Sequence, residues 1–74
     1  MGWRGRGGRT VWTIQVNQDG TAEVLRNGRR VQGDRSREEA LRYIRRRWSA
    51  EHQVIQEDPD GARRDITRRV RATV

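Results

Sequence analysis

Seventy-four residues, 31% of them hydrophobic, with seventeen basic side chains against ten acids, allow one small domain with a thin core and a net charge of +7. No apolar run approaches the ~18 residues of a membrane span, and a chain without cysteine has neither disulfides nor thiolate chemistry. The opening Gly-Trp-Arg-Gly-Arg-Gly-Gly is not the apolar stretch of a secretory leader, so a reducing, cytoplasmic setting is expected.

Residues 1–9 hold four glycines and Arg4, Arg6 and Arg9 with no apolar period, which predicts a disordered tail ahead of a domain over residues 10–71. In Thr10–Asn17, Trp12, Ile14 and Val16 alternate with Thr13 and Gln15, the period of a half-buried strand. Asp19-Gly20 signals a turn into a returning strand over Thr21–Arg26. Parity selects its length: a three-residue loop, Gln18-Asp19-Gly20, pairs Val16 with Ala22, Ile14 with Val24 and Trp12 with Arg26. A two-residue loop would set Val16 against Glu23, so the longer loop, closed by Gly20 in the left-handed region, is preferred. Asn27-Gly28 ends this strand, with a short extension at Val31.

Asp34 and Ser36 compete to start a helix; Ser36 with Glu39 has the spacing of a capping box, which places the helix at 36–49. Ala40, Leu41, Ile44 and Trp48 share one face, with Arg35, Arg42 and Arg46 opposite and Arg45 beside them. Val54-Ile55 centres a third strand over Gln53–Glu57. Pro59-Asp60-Gly61 then forms a turn into a fourth over Arg63–Val70, with Val54 opposite Ile66, Gln56 opposite Arg64 and Ile55 opposite Asp65. The predicted fold class is α+β: a ββαββ domain whose two hairpins form one antiparallel sheet with the helix on one face. Its predicted core is Trp12, Ile14, Val16, Val24, Leu41, Ile44, Trp48, Val54 and Ile66. So thin a core leaves homodimerisation through sheet edges open.

The charge is blocked. Residues 10–34 are neutral; residues 35–48 carry six arginines against two glutamates, 49–62 carry four acids and no arginine, and 63–74 carry five arginines against one aspartate. No catalytic constellation accompanies these charges. His52 is the single histidine and reads as a surface residue, Glu57, Asp58 and Asp60 match no calcium loop, and Gly5, Gly7 and Gly8 lie outside any strand–helix junction. No enzyme, metal or cofactor is expected. Arginine, by contrast, presents a planar fork of donors suited to phosphate. The pattern therefore predicts a nucleic-acid-binding protein working through arginine–phosphate contacts, with Arg4, Arg6 and Arg9 from the tail, Arg42, Arg45 and Arg46 from the helix, and Arg63 and Arg69 from the last strand. If the helix covers the Ile66 face, Arg63, Thr67 and Arg69 should join Val11, Thr13 and Gln15 on the open face, with Glu23 and Leu25 beside them. That face lacks surface aromatics for base stacking, which favours DNA over RNA. The rival expectation is a protein-interaction module or inhibitor docking on an acidic partner. Blander still, the acidic turn at 57–60 could neutralise the helix arginines within the fold.

Two resemblances accompany this reading. Arg4-Gly5-Arg6-Gly7-Gly8-Arg9 resembles an RGG box, or an AT-hook lacking the proline after its Arg-Gly-Arg core. Trp12, the helix opening Ser36-Arg37-Glu38-Glu39-Ala40, Val54-Ile55 and Asp60-Gly61 together resemble the small bacterial domain of unknown function numbered 2188, over about residues 10–66. That resemblance implies the ββαββ grammar and carries no activity.

Overall fold

A computed structural model describes residues 9–49 and 51–72. The expected Arg/Gly tail, with Arg4 and Arg6, lies outside them except for Arg9. The elements are β1 (Val11–Val16), β2 (Thr21–Arg26), β3 (Arg29–Ser36), α1 (Arg37–Arg47), β4 (Gln53–Glu57), β5 (Arg63–Asp65) and α2 (Thr67–Ala72). The strands form one mixed sheet in the order β3-β2-β1-β4-β5, in which β1 and β4 are parallel. The class is α+β, as the sequence predicts, with one more strand and one more helix.

Both expected hairpin registers are present. Val16 faces Ala22, Ile14 faces Val24 and Trp12 faces Arg26, across a turn in which the Gly20 amide donates to Asn17 at 3.1 Å and Gly20 sits at φ +90°. Ile55 faces Asp65 and Gln56 faces Arg64, across a turn closed by the Gly61 amide on the Asp58 carbonyl at 2.9 Å. In each case the glycine supplies the left-handed residue that ends a type I turn.

The sheet is not wholly antiparallel, contrary to the sequence reading, because Asn27-Gly28 does not end the meander but turns it. Both residues have positive φ, 52° and 83°, the geometry of a two-residue hairpin turn, and they launch the eight-residue β3. With a third strand in place, β3 runs in the direction of β1. The helix then runs back across the sheet, touching β3, β2 and β1, and the chain re-enters beside β1 in β1's own direction. Two strands before the helix would have given the opposite sense. β3 carries Arg29, Arg30 and Arg35 along the outer edge and shifts register twice against β2, features that discourage further strand pairing.

The second correction concerns the last strand, which stops at Asp65 instead of running to Val70. The Ile66 amide still reaches the Val54 carbonyl at 2.9 Å, but the Asp65 carboxylate accepts from the Thr67 amide at 2.9 Å and its hydroxyl at 2.6 Å. The Ile66 carbonyl then accepts from the Arg69 and Val70 amides at 3.0 and 3.1 Å, opening α2. Thr67 also ties α2 to β4, since its Oγ accepts from the Val54 amide at 2.9 Å.

Helix α1 begins as predicted. Ser36 Oγ accepts from the Glu39 amide and Glu39 Oε1 from the Ser36 amide, both at 3.1 Å, a reciprocal capping box. Ala40 and Ile44 enter the core with Trp12, Ile14, Ala22, Val24, Val54, Ile66 and Val70. Ala22, Ala40 and Val70 thus take places the sequence reading gave to Val16, Leu41 and Trp48, which are half-buried at its margin. Val70 gains its place because α2 is a helix and packs on the same face as α1. Among the described residues no helix is long and apolar enough to cross a membrane.

Candidate nucleic-acid interface

With Ala40 and Ile44 fixed inward, the geometry of α1 leaves Glu38, Arg42, Arg45, Arg46 and Arg47 exposed. Arg42 and Arg46, one turn apart, line a groove of about 300 Å³ between α1 and the end of β3, where Arg35 and Gln32 form the opposite wall. Arg35 Nε donates to Gln32 Oε1 at 3.3 Å. Glu39 also borders this groove. Its carboxyl is held below the usual range chiefly by the Ser36 amide, against some desolvation, with help from Arg35 and Arg42.

The far end of the groove is organised by aromatic rings. The Arg47 guanidinium lies 3.8 Å from the centroid of Tyr43 and donates to the Tyr43 carbonyl at 3.2 Å. Tyr43 meets Trp12 edge to face at 6.4 Å, and Arg26 lies over Trp12 at 5.6 Å. Trp12 is 2% exposed and its Nε1 donates to His52 Nδ1 at 3.0 Å, which also accepts from the Ser49 amide at 3.3 Å. Accepting at Nδ1 leaves the ring proton on Nε2. His52 is thus a support for Trp12, not the unengaged surface residue the sequence suggested. Through Trp12 and Tyr43, Arg26 and Arg47 are carried to one end of the molecule.

The remaining expected site residues do not join this groove. Arg45 projects from the opposite flank of α1 and meets Arg37 and Arg69 around an apolar floor of Leu41, Ile66 and Val70. Arg69 reaches it from α2, which removes it from the open sheet face where the sequence reading put it. Arg63 is paired in register with Glu57, and Arg9 lies by His52, Gln53, Asp65 and Arg68. The open face is also less basic than anticipated. Gln15 lies between Glu23 and Glu57, and Thr13 between Leu25 and Ile55 with Asp65 beyond. Gln15 Nε2 donates to Glu57 at 2.8 Å and Gln53 Nε2 to Asp65 at 2.9 Å.

Two ion pairs form among the described residues, Arg30–Glu23 at 3.5 Å and Arg64–Asp58 at 2.8 Å. Neither uses α1, so the acidic turn forms no ion pair with Arg42, Arg45, Arg46 or Arg47. Asp58 instead accepts from Gln56 and Arg64, both at 2.8 Å, and those bonds, Gln56 first, hold its carboxyl below the usual range. Gln56, 7% exposed, accepts in turn from Arg37 Nε at 2.9 Å. Arg37 is the arginine of α1 that the turn engages, and it lies on the core side of the helix.

Sequence periodicity grouped Arg35 with Arg42 and Arg46, without counting it among the binding residues, but missed Arg47 at the same groove. The Tyr43/Arg47 spacing of four was the available signal for it. No group of three or more potential metal ligands occurs among the described residues. No protein-family model, no curated protein and no solved structure matches the chain, so the resemblance to the small bacterial domain rests on its motifs.

Proposed function

We propose that the chain is a small nucleic-acid-binding protein, with DNA favoured over RNA, that holds the phosphodiester backbone through arginines and carries out no catalysis. One observation carries this reading: Arg42, Arg45 and Arg46 stand exposed on α1 without an ion pair among the described residues, with Glu39 alone acting on Arg42 at longer range, while the acids of the neighbouring turns are engaged elsewhere. Side chains that are not needed to balance charge within the fold, and that cluster on one helix, suit a polyanion. The preference for DNA rests on the aromatics. Trp12 and Tyr43 are engaged in packing, and the open face presents Thr13, Leu25 and Ile55, so the sheet offers no platform on which splayed bases would stack.

Mobility-shift assays at low and moderate salt test the proposal. Binding to duplex should weaken steeply as salt rises, because each neutralised phosphate releases counterion. Absence of a shift with duplex, single strand and RNA at micromolar protein would overturn it. A second reading, docking on an acidic protein partner, draws on the groove of Arg37, Arg45 and Arg69 around Leu41, Ile66 and Val70. Retention of a specific protein after nuclease treatment, lost on Leu41→Asp, would favour it.

A further inference from the structure

We propose that the groove between β3 and α1 seats one phosphate of the bound backbone, with Arg35 on one wall and Arg42 and Arg46 on the other, and that Glu39 weakens this grip. The assignment rests on the nucleic-acid reading and specifies where and how it operates.

Three features of the groove select a phosphate. Its cationic groups come from two different elements, so they approach from two sides, which a tetrahedral group with two unesterified oxygens can satisfy and a planar carboxylate satisfies less well. Each wall is held by independent structure: Arg42 and Arg46 by one helical turn, and Arg35 by its place one residue before the Ser36 cap and by its bond to Gln32 at 3.3 Å. The ring that borders the groove among the described residues, Tyr43, has Arg47 stacked at 3.8 Å and Trp12 packed edge to face with it. A nucleobase would have to displace Arg47 to stack there. The site therefore fits the repeating backbone and not a mononucleotide.

Glu39 is the unusual member. It belongs to the capping box, where Oε1 accepts from the Ser36 amide at 3.1 Å, yet its charge lies within Coulombic reach of both Arg35 and Arg42. An incoming phosphate competes with that carboxylate for the same two guanidiniums. Glutamine fills the same place in a capping box without the charge, so Glu39→Gln separates the structural role from the electrostatic one.

The test uses the full chain and two probes. In the first arm, pyrophosphate is titrated while the arginine Nε–Hε signals are followed. The signals of Arg35, Arg42 and Arg46 should move together, at lower concentration than those of Arg45 and Arg63. In the second, Glu39→Gln, with helix content checked by circular dichroism, should bind a short DNA duplex about three- to fivefold more tightly than the parent at moderate salt, the scale of one exposed charge interaction. Shifts spread evenly over the exposed arginines, or a Glu39→Gln chain of unchanged helix content that binds duplex no more tightly, would overturn the groove assignment and leave the nucleic-acid reading standing. Failure of the parent chain to bind any nucleic acid overturns both, whatever pyrophosphate does.

Discussion

At the Asp58–Ala62 turn every charge has an answering group within the fold. Asp58 takes donors from Gln56 and Arg64, Gln56 is held by Arg37, and Glu57 is met by Gln15. The Asp19 turn works the same way, with the carboxylate accepting from the Thr21 amide and hydroxyl at 3.0 and 2.6 Å. Between α1 and β3, by contrast, Arg42 and Arg46 face a groove with Arg35 across it and Glu39 beside them, whose carboxylate is committed to a helix cap. The acids of these turns are engaged within the fold, whereas Arg42, Arg45 and Arg46 of α1 form no ion pair among the described residues. Charge that shapes the chain and charge left for a partner are thus separated in space, and variants on the two sides should affect different measurements.

The first effect expected is on binding. Arg42→Gln with Arg46→Gln removes two of the three arginines around one phosphate, which at ~0.9 counterion per neutralised phosphate weakens duplex binding roughly fivefold near 0.15 M salt and flattens the salt dependence by about one counterion. Stability should stay within about 0.5 kcal/mol of the parent, because these side chains are exposed. Thermal melts beside a binding isotherm check both halves. The next effect is on stability: His52→Leu strips the acceptor from the buried Trp12 Nε1 and should cost about 1–3 kcal/mol in denaturant unfolding. Gln56→Leu is the mirror of the arginine pair. It breaks the links to Arg37 and Asp58 and should cost about 1 kcal/mol while leaving duplex affinity unchanged. A change in affinity there would break the separation.

Acid gives the smallest effect. Hydrogen bonds in the fold hold Asp19, Glu39, Asp58 and Asp65 below the usual carboxylate range, led by the Thr21 hydroxyl, the Ser36 amide, Gln56 and the Thr67 hydroxyl respectively. Folded values below unfolded ones mean that this stabilisation is complete above the unfolded values near about 4 and is lost as pH falls through the folded values. All four groups are well solvated, so the slope should be shallow. Asp58→Asn should make it shallower still in an acid titration followed by circular dichroism.

How far the sequence could be read depended on whether each segment had an apolar side to reveal it. The β1–β2 register follows from Trp12, Ile14 and Val16 meeting Ala22 and Val24, where a one-residue slip would bury Glu23. The capping box at Ser36 and Glu39 is equally local. β3 is different: in Arg29–Ser36 the one large apolar residue is Val31, 38% exposed. An edge strand held by backbone bonds shows no alternation, and only Asn27-Gly28 announced it. Overlooking one strand reversed the expected sense of β4, since the direction of each later element depends on how many precede it. Arg63–Val70 was ambiguous for another reason. Ile66 and Val70 fit one face of a strand or one turn of a helix, and the decision rests on Asp65 engaging Thr67. The site divides along the same line. Arg42 and Arg46 follow from helical period, whereas Arg35 arrives through β3 and Arg69 moves to the α1 flank through α2.

The most direct measurement is the map of backbone amide shifts on adding a DNA duplex to the full chain at moderate salt. Changes should concentrate at residues 32–35 of β3 and 39–47 of α1 and leave the turns at 17–20 and 58–62 unmoved. Changes confined to residues 3–9, or centred on the two acidic turns, would contradict the claim that α1 and β3 form the binding side.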